Sequence, residues 1–312
     1  MSVDRVATNN QTSYMLSQIA KANVKLQQSE YQVTTGKNSS DYAGIGDKTA
    51  ALEGARAASD RAKGYAAGTQ LAMTQTDLQN TQLTTLTGLA SQLQKAVGSA
   101  ISKSDGTGLM ASAEDIFEQA SSILNAKDAN GNYIYGGQIS DQPPFTATSL
   151  ADLTTQPVSA FFKNGTDKKT VAVGDGQTET IGVLASDVGT DLMNALKTLY
   201  QQDQTTPLTG TITEAQMKDL SDNVVPLTNA AYKNLNAATA QNGNVYSSLK
   251  SDVTNQKSLQ NLYTGFVSDI EDADMATALT NLSNNQTALQ AVLTVTSKLN
   301  DLTLLNYLPV SG

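Results

Sequence analysis

Four carboxylates crowd together near the end of the 312-residue chain, at Asp269, Glu271, Asp272 and Asp274. A pair of carboxyl groups can hydrolyse a glycoside unaided, one as acid and the other as base or nucleophile. Nothing else in the composition supports such chemistry. The chain has no His and no Cys, which removes the usual general base at neutral pH, any thiolate nucleophile and the two commonest transition-metal ligands. An H-E-x-x-H peptidase site is impossible for the same reason. No enzyme, cofactor or metal is expected. The acidic run has a simpler use: Ser268 and Glu271 fit the S-x-x-E capping box, and negative charge belongs at the positive end of a helix dipole. The pattern predicts a helix start, with Ser268 and Glu271 as its cap.

A second candidate, Asp128-x-Asn130-x-Asn132, imitates the first ligands of an EF-hand loop. It fails at the sixth position, Tyr133, where Gly is required, and at the twelfth, Ile139, where Glu is required. A β-turn feeding a Tyr133–Tyr135 strand is the expectation. Gly174–Gly176 lacks the G-x-G-x-x-G spacing and the long helix that would follow a nucleotide loop.

The element behind the acidic run is a helix reaching from Phe266 to Leu308. Met275, Leu279, Leu282, Gln286, Leu289, Leu293, Thr296 and Leu299 recur at alternating steps of four and three, which makes one seam and requires a partner helix. Gln286 and Thr296 dilute it, so it is weak in isolation. The opening of the chain offers the partner: Met15, Ile19, Ala22, Leu26, Ser29 and Val33 follow the same steps. The charges also favour the pairing. Arg5, Lys21, Lys25 and Lys37 outnumber the acids of residues 1–44, whereas residues 266–312 set Lys298 against Asp269, Glu271, Asp272, Asp274 and Asp301.

Between the ends lies more helix. From about Gly46 to Ala100 no Pro interrupts a thin seam of Gln79, Gln82, Leu86, Leu89, Leu93, Ala96 and Ala100; such a helix would be about 80 Å long at 1.5 Å per residue. A shorter helix is expected over 110–126, another over 190–201, a short one over 213–222, and a second very long one from Val224, with Pro226 in its first turn and a joint near Ala273. Residues 139–189 differ: Pro143, Pro144 and Pro157, with Asn164-Gly165 and Asp175-Gly176 between short alternating runs (158–162, 170–173, 179–183), predict a small β-rich insert. The fold class expected is mainly α: a long-helix, coiled-coil-like rod with paired terminal helices at one pole and the insert at the other. Its three expected domains are 1–44 with 266–312, 45–138 with 190–265, and 139–189. Such a shape has no evident substrate cleft.

The formal net charge is −9 and aromatic residues make up 5% of the chain, which argues against a nucleic-acid partner. No apolar run approaches membrane-spanning length, and the N-terminus shows no cleaved export signal. With these bounds in place, two stretches resemble the bacterial flagellin family. VTTGKNSSDYAGIGDKTAAL (33–52) is similar to the signature that follows the family's first helix. SDIEDADMATALTNLSNNQTALQAVLTVTSKLNDLTLLNYL (268–308) is similar to its C-terminal signature, most specifically in the EDAD element and the L-x-x-x-Q-x-x-L-Q helix behind it. The likeness covers about the first 140 and last 90 residues. NYIYGGQISDQPPF (132–145) and the LTLLNYL ending are similar to the family's hook–filament junction members more than to filament subunits.

The resemblance implies a structural protein, exported by the flagellum's own type III route to an extracellular position. Its implied partners are copies of itself, hook-associated proteins and flagellin, and an export chaperone. The self-association residues would be Met15, Ile19, Ala22, Leu26, Val33, Met275, Leu279, Leu282, Leu289, Leu293 and Leu299. A filament subunit is the alternative, and a surface adhesin using Phe145, Phe161 and Phe162 of the insert a third. Around Leu89–Ala96 the chain has Ala90 and Ser91 where many flagellins carry an arginine-containing stretch read by innate immune receptors, so that recognition is not implied.

Overall fold

The computed structural model describes the backbone of residues 2–305 and the side chains of residues 10–298. It is mainly helical: α1 (Ser2–Thr35), α2 (Thr49–Lys103), α3 (Leu109–Leu124), α4 (Asp152–Thr155), α5 (Ala185–Thr205), α6 (Glu214–Asp219), α7 (Val225–Glu271) and α8 (Met275–Leu305). Strands β1 (Lys169–Gly174) and β2 (Gln177–Ile181) form an antiparallel hairpin turned at Asp175-Gly176. The chain divides into two compact units, residues 1–61 with 259–312, and residues 62–258. Both divisions fall inside the long helices α2 and α7, where the sequence carries no linker composition.

The larger unit has the main core. Leu83, Leu86, Ala90, Leu93, Val97 and Ala100 of α2 are buried at steps of three and four, as a helix buried along one stripe requires. Of the expected seam Gln79, Leu86, Leu89, Leu93 and Ala100 are buried, whereas Leu83 and Val97 are buried where the sequence reading placed Gln82 and Ala96, which are half-buried. Leu83 excludes water better than Gln82 could, and Val97 buries more apolar surface than Ala96 would. Facing it are Ile116, Phe117 and Ala120 of α3, Leu192, Leu196 and Leu199 of α5, and Leu235 of α7. Helix α6 opens on a true capping box, Thr213 with Gln216, and a short π-helical stretch at Leu220–Val224 leads it into α7.

The insert is less β-rich than its punctuation suggests. Only the 169–181 hairpin forms strands; Val158–Phe161 is a 3-10 turn begun by Pro157, and Tyr133 makes a lone bridge to Lys127. The reason is the aromatic residues. Phe145 and Phe161 are buried in the main core, with the Phe145 ring centred 6.2 Å from Phe117, 6.4 Å from Phe161 and 5.1 Å from the half-buried Phe162. They pack as core, which removes the motive for a sugar-stacking platform. The hairpin in turn lays Val173 and Ile181 against Ala72 and Leu249, and the buried Gln256 donates to the Val173 carbonyl at 2.8 Å.

Candidate functional site

In the smaller unit four chain segments meet: the end of α1, the start of α2, the end of α7 and the start of α8. Gly36 lets α1 stop. It adopts φ +70°, a left-handed conformation that costs Gly little, and its N–H closes the last turn onto Gln32 O at 2.9 Å. The next residues turn antiparallel to the link between α7 and α8. Asn38 N donates to Glu271 O at 2.6 Å and Ala273 N to Gly36 O at 2.8 Å. The Asn38 side chain adds bonds to Ile270 O (3.1 Å) and Asp272 O (2.9 Å). The two segments are thereby held by main-chain and side-chain bonds together.

Charge closes the same knot. Glu271, whose side chain is only 12% exposed, takes Arg56 of α2 on one oxygen and Lys37 on the other, the latter at 3.4 Å. Lys37 also reaches Asp272 at 2.6 Å. The hydrogen bond from Lys37, then one from Ser268, hold the Asp272 carboxyl below the usual carboxylate range; the same Asp272 bond chiefly raises the Lys37 ammonium. Around Arg56, Tyr42 donates to Glu53 at 2.7 Å, which lowers the Glu53 carboxyl and raises the Tyr42 phenol. Lys37, Tyr42, Arg56 and Glu271 line a cleft of about 480 Å³ with Tyr31 and Ile45. Cation, carboxylate and amide are each already paired within the chain, so the knot is a latch, with no poised acid, base or nucleophile.

The acidic run therefore does different work from that expected. Ser268 and Glu271 lie in the last turn of α7, not in the first turn of the terminal helix. Ser268 Oγ donates to the Asp272 carboxylate, and Glu271 belongs to the latch. The cap of α8 is Asp274, which accepts from Ala276 N at 2.9 Å and from the Thr277 hydroxyl at 3.0 Å. An S-x-x-E pattern cannot say which of two abutting helix ends it serves. The Asp274-x-x-Thr277 spacing was the signal available and missed.

Beyond the latch α1 and α8 pair antiparallel, Lys37 meeting Asp272 and Ser29 meeting Asn285. Asn285 Nδ2 donates to the buried Ser29 hydroxyl at 2.8 Å, a polar layer inside the seam. Met15, Ile19, Ala22, Leu26 and Val33 share that face of α1 by helical spacing and are half-buried. On α8 the inward layer is Ala278, Leu282, Asn285, Leu289, Val292 and Thr296, again at steps of four and three. Every second position of the expected seam is thus displaced by one residue. Leu279 and Leu293 outrank Ala278 and Val292 in hydrophobicity, but small Ala278 and the Ser29–Asn285 bond set the rotation. Leu279 and Leu293 are left facing out, 53% and 48% exposed, with Met275 also exposed in the first turn. The side chain of Leu299 lies outside the described residues. On α1, Tyr14, Leu16 and Val24 are likewise exposed.

The loop at Asp128 is a turn. Asp128 Oδ1 accepts from Asn130 N (2.8 Å) and Asn132 N (3.0 Å), so the carboxylate serves its own backbone. Among the described residues no group of three His, Cys, Asp or Glu side chains is placed to hold a metal, and no helix is long and apolar enough to cross a membrane.

Residues 225–308, which hold α7, the latch carboxylates and α8, match the bacterial flagellin C-terminal helical region. This stretch is flagellin-like. No curated protein sequence matches the chain. Among solved structures, a chain assigned as a flagellar hook-associated protein from Vibrio parahaemolyticus is similar with a TM-score of 0.59 at 14% identity, covering 74% of this chain and 98% of that one. FlgL from Bacillus cereus is similar with a TM-score of 0.51 at 15% identity, covering 69% and 98%. At such identities the likeness is one of fold. The match over residues 225–308 includes the 268–308 stretch that resembles the flagellin C-terminal signature, and the two solved structures share the fold.

Proposed function

We propose that this chain forms the junction layer between the hook and the filament of a bacterial flagellum, the role of hook-associated protein 3. The observation that carries the reading is the α1–α8 pair: its inner seam is satisfied within the chain, and the apolar Met275, Leu279 and Leu293 of α8 are left outside it. A row of exposed leucines on a flagellin-type helix suits contact with further copies, where many weak contacts add around a ring. Met15, Ile19, Ala22, Leu26, Val33, Leu282 and Leu289 build the pair that presents this row. Copies of the same chain, hook-associated proteins below and flagellin above are the partners this role requires. Export through the flagellar type III route with a dedicated chaperone, to an extracellular place, belongs to the same proposal.

A junction layer meets different proteins on its two sides, whereas a filament subunit must be complementary to itself head to tail and therefore propagates without limit. Concentrated purified chain viewed by negative-stain microscopy is expected to show monomers or short oligomers. Long helical filaments would make it a filament subunit instead.

A further inference from the structure

The dipeptide Asn-Gly occurs at Asn130, Asn164 and Asn242. It is open to a reaction that needs no enzyme. The backbone nitrogen of the Gly, unhindered for want of a Cβ, attacks the Asn carboxamide carbon. A C–N bond forms, the side-chain nitrogen leaves as ammonia with the proton from the attacking nitrogen, and a five-membered succinimide results. Water then opens either of the ring's two C–N bonds, giving aspartate or its β-linked isomer. The reaction needs a mobile carboxamide and a backbone that can bring the two atoms together. The three sites differ in both respects.

Asn164 is held at every polar atom. Its Oδ1 accepts from Ser186 N at 3.1 Å, and its Nδ2 donates to Gly165 O at 2.9 Å and Ser186 Oγ at 3.1 Å. The attacking nitrogen, Gly165 N, is buried and donates to Gly136 O at 2.9 Å. Asn242 is buried within α7, its Nδ2 donating to Thr76 O at 2.9 Å. Helical geometry there keeps Gly243 N in the hydrogen-bond ladder. Asn130 and Gly131 are both exposed, at the tip of the Asp128 turn, with Gly131 at φ +83°. The Asn130 carboxamide makes no hydrogen bond among the described residues. Gly131 N donates to Asp128 O at 3.0 Å, one bond of a surface turn, the kind of structure that opens at small cost.

We propose that Asn130 is a spontaneous deamidation site of the folded protein, and that the fold protects Asn164 and Asn242. The β-linked product would lengthen the backbone inside the turn by one methylene. That disrupts the Asp128 N–Asn132 O bond (2.8 Å) and places a second negative charge beside Asp128. The turn leads directly into Tyr135, which is buried in the main core, so the change would loosen the segment over 126–135.

The test is peptide mapping by mass spectrometry of the full-length protein aged at neutral to mildly alkaline pH. The expected result is a gain of about one dalton at residue 130, with Asn164 and Asn242 at least about a hundredfold slower, which is about 3 kcal/mol of local opening at about 1.4 kcal/mol per tenfold. In denaturing urea the three sites should react at similar rates, showing that the fold makes the difference. Asn130→Gln, which must close a larger ring, should abolish the folded-state signal. Modification at Asn164 or Asn242 as fast as at Asn130, or none at Asn130 in folded protein that reacts readily when unfolded, would overturn the proposal.

Discussion

Replacing Glu271 by Gln preserves size and removes the charge at the centre of the latch. The two cations facing it, Lys37 and Arg56, are 43% and 42% exposed, so water recovers part of what they lose. A hydrogen bond to a charged group contributes about 1.5–3 kcal/mol when shielded and an exposed ion pair about 0.2–1 kcal/mol; two contacts of intermediate exposure lead to about 1–2 kcal/mol in total. The readout should be local. Asn38 N and Ala273 N donate across the latch to Glu271 O and Gly36 O, so their hydrogen exchange reports its opening. A loss of about 1–2 kcal/mol is a factor of about 5–30 in the opening equilibrium, and these amides should exchange faster by about that factor in Glu271→Gln. Arg56→Met should give part of the effect and add little on top of Glu271→Gln, since both remove the Arg56–Glu271 contact. Glu53→Gln, on the exposed flank of Arg56, should change these amides little. Exchange at both amides within twofold of the parent in Glu271→Gln would refute the reasoning.

Leu279→Asp and Leu293→Asp should leave the monomer's stability within about 0.5 kcal/mol because both side chains face out, yet abolish self-association in sedimentation experiments. Leu282→Asp should instead cost about 2–4 kcal/mol by forcing a carboxylate into the α1–α8 seam, seen as lost exchange protection in both helices. Acid should open the latch and the adjoining α8 cap: carboxyls with lowered pKa contribute stability that is present above about pH 3.9 for Asp272 and Asp274 and above about pH 4.3 for Glu53, and lost as pH falls through their folded values. Lys37, with a raised pKa, contributes stability present below about pH 10.4 and lost as pH rises through its folded value, so protection of Asn38 N should fall at both extremes.

Much of this was legible in the sequence. The seam of α1 follows from its spacing, and the joint near Ala273 from the phase slip between two helical patterns; the structure interrupts the helices at Asp272–Asp274. The rotation of α8 was not legible, because it depends on Ala278 and on the Ser29–Asn285 bond between residues 256 positions apart. Hydrophobicity alone favours Leu279 and Leu293 as the seam, and tertiary contact overrides it. The latch hid for the same reason. Arg56 and Asn38 look like ordinary polar residues until the fold brings them to Glu271, and the EDAD run reads as a cap until both helix ends are seen together. In the insert the alternating runs were real for 169–181, but Phe145 and Phe161 were drawn into the larger core.

The most direct test of the central claim is the position of the protein on the assembled organelle. Antibody raised to this chain and labelled with gold should mark intact flagella at a single narrow band where hook meets filament. Label distributed along the filament, or absent from flagella, would contradict the account.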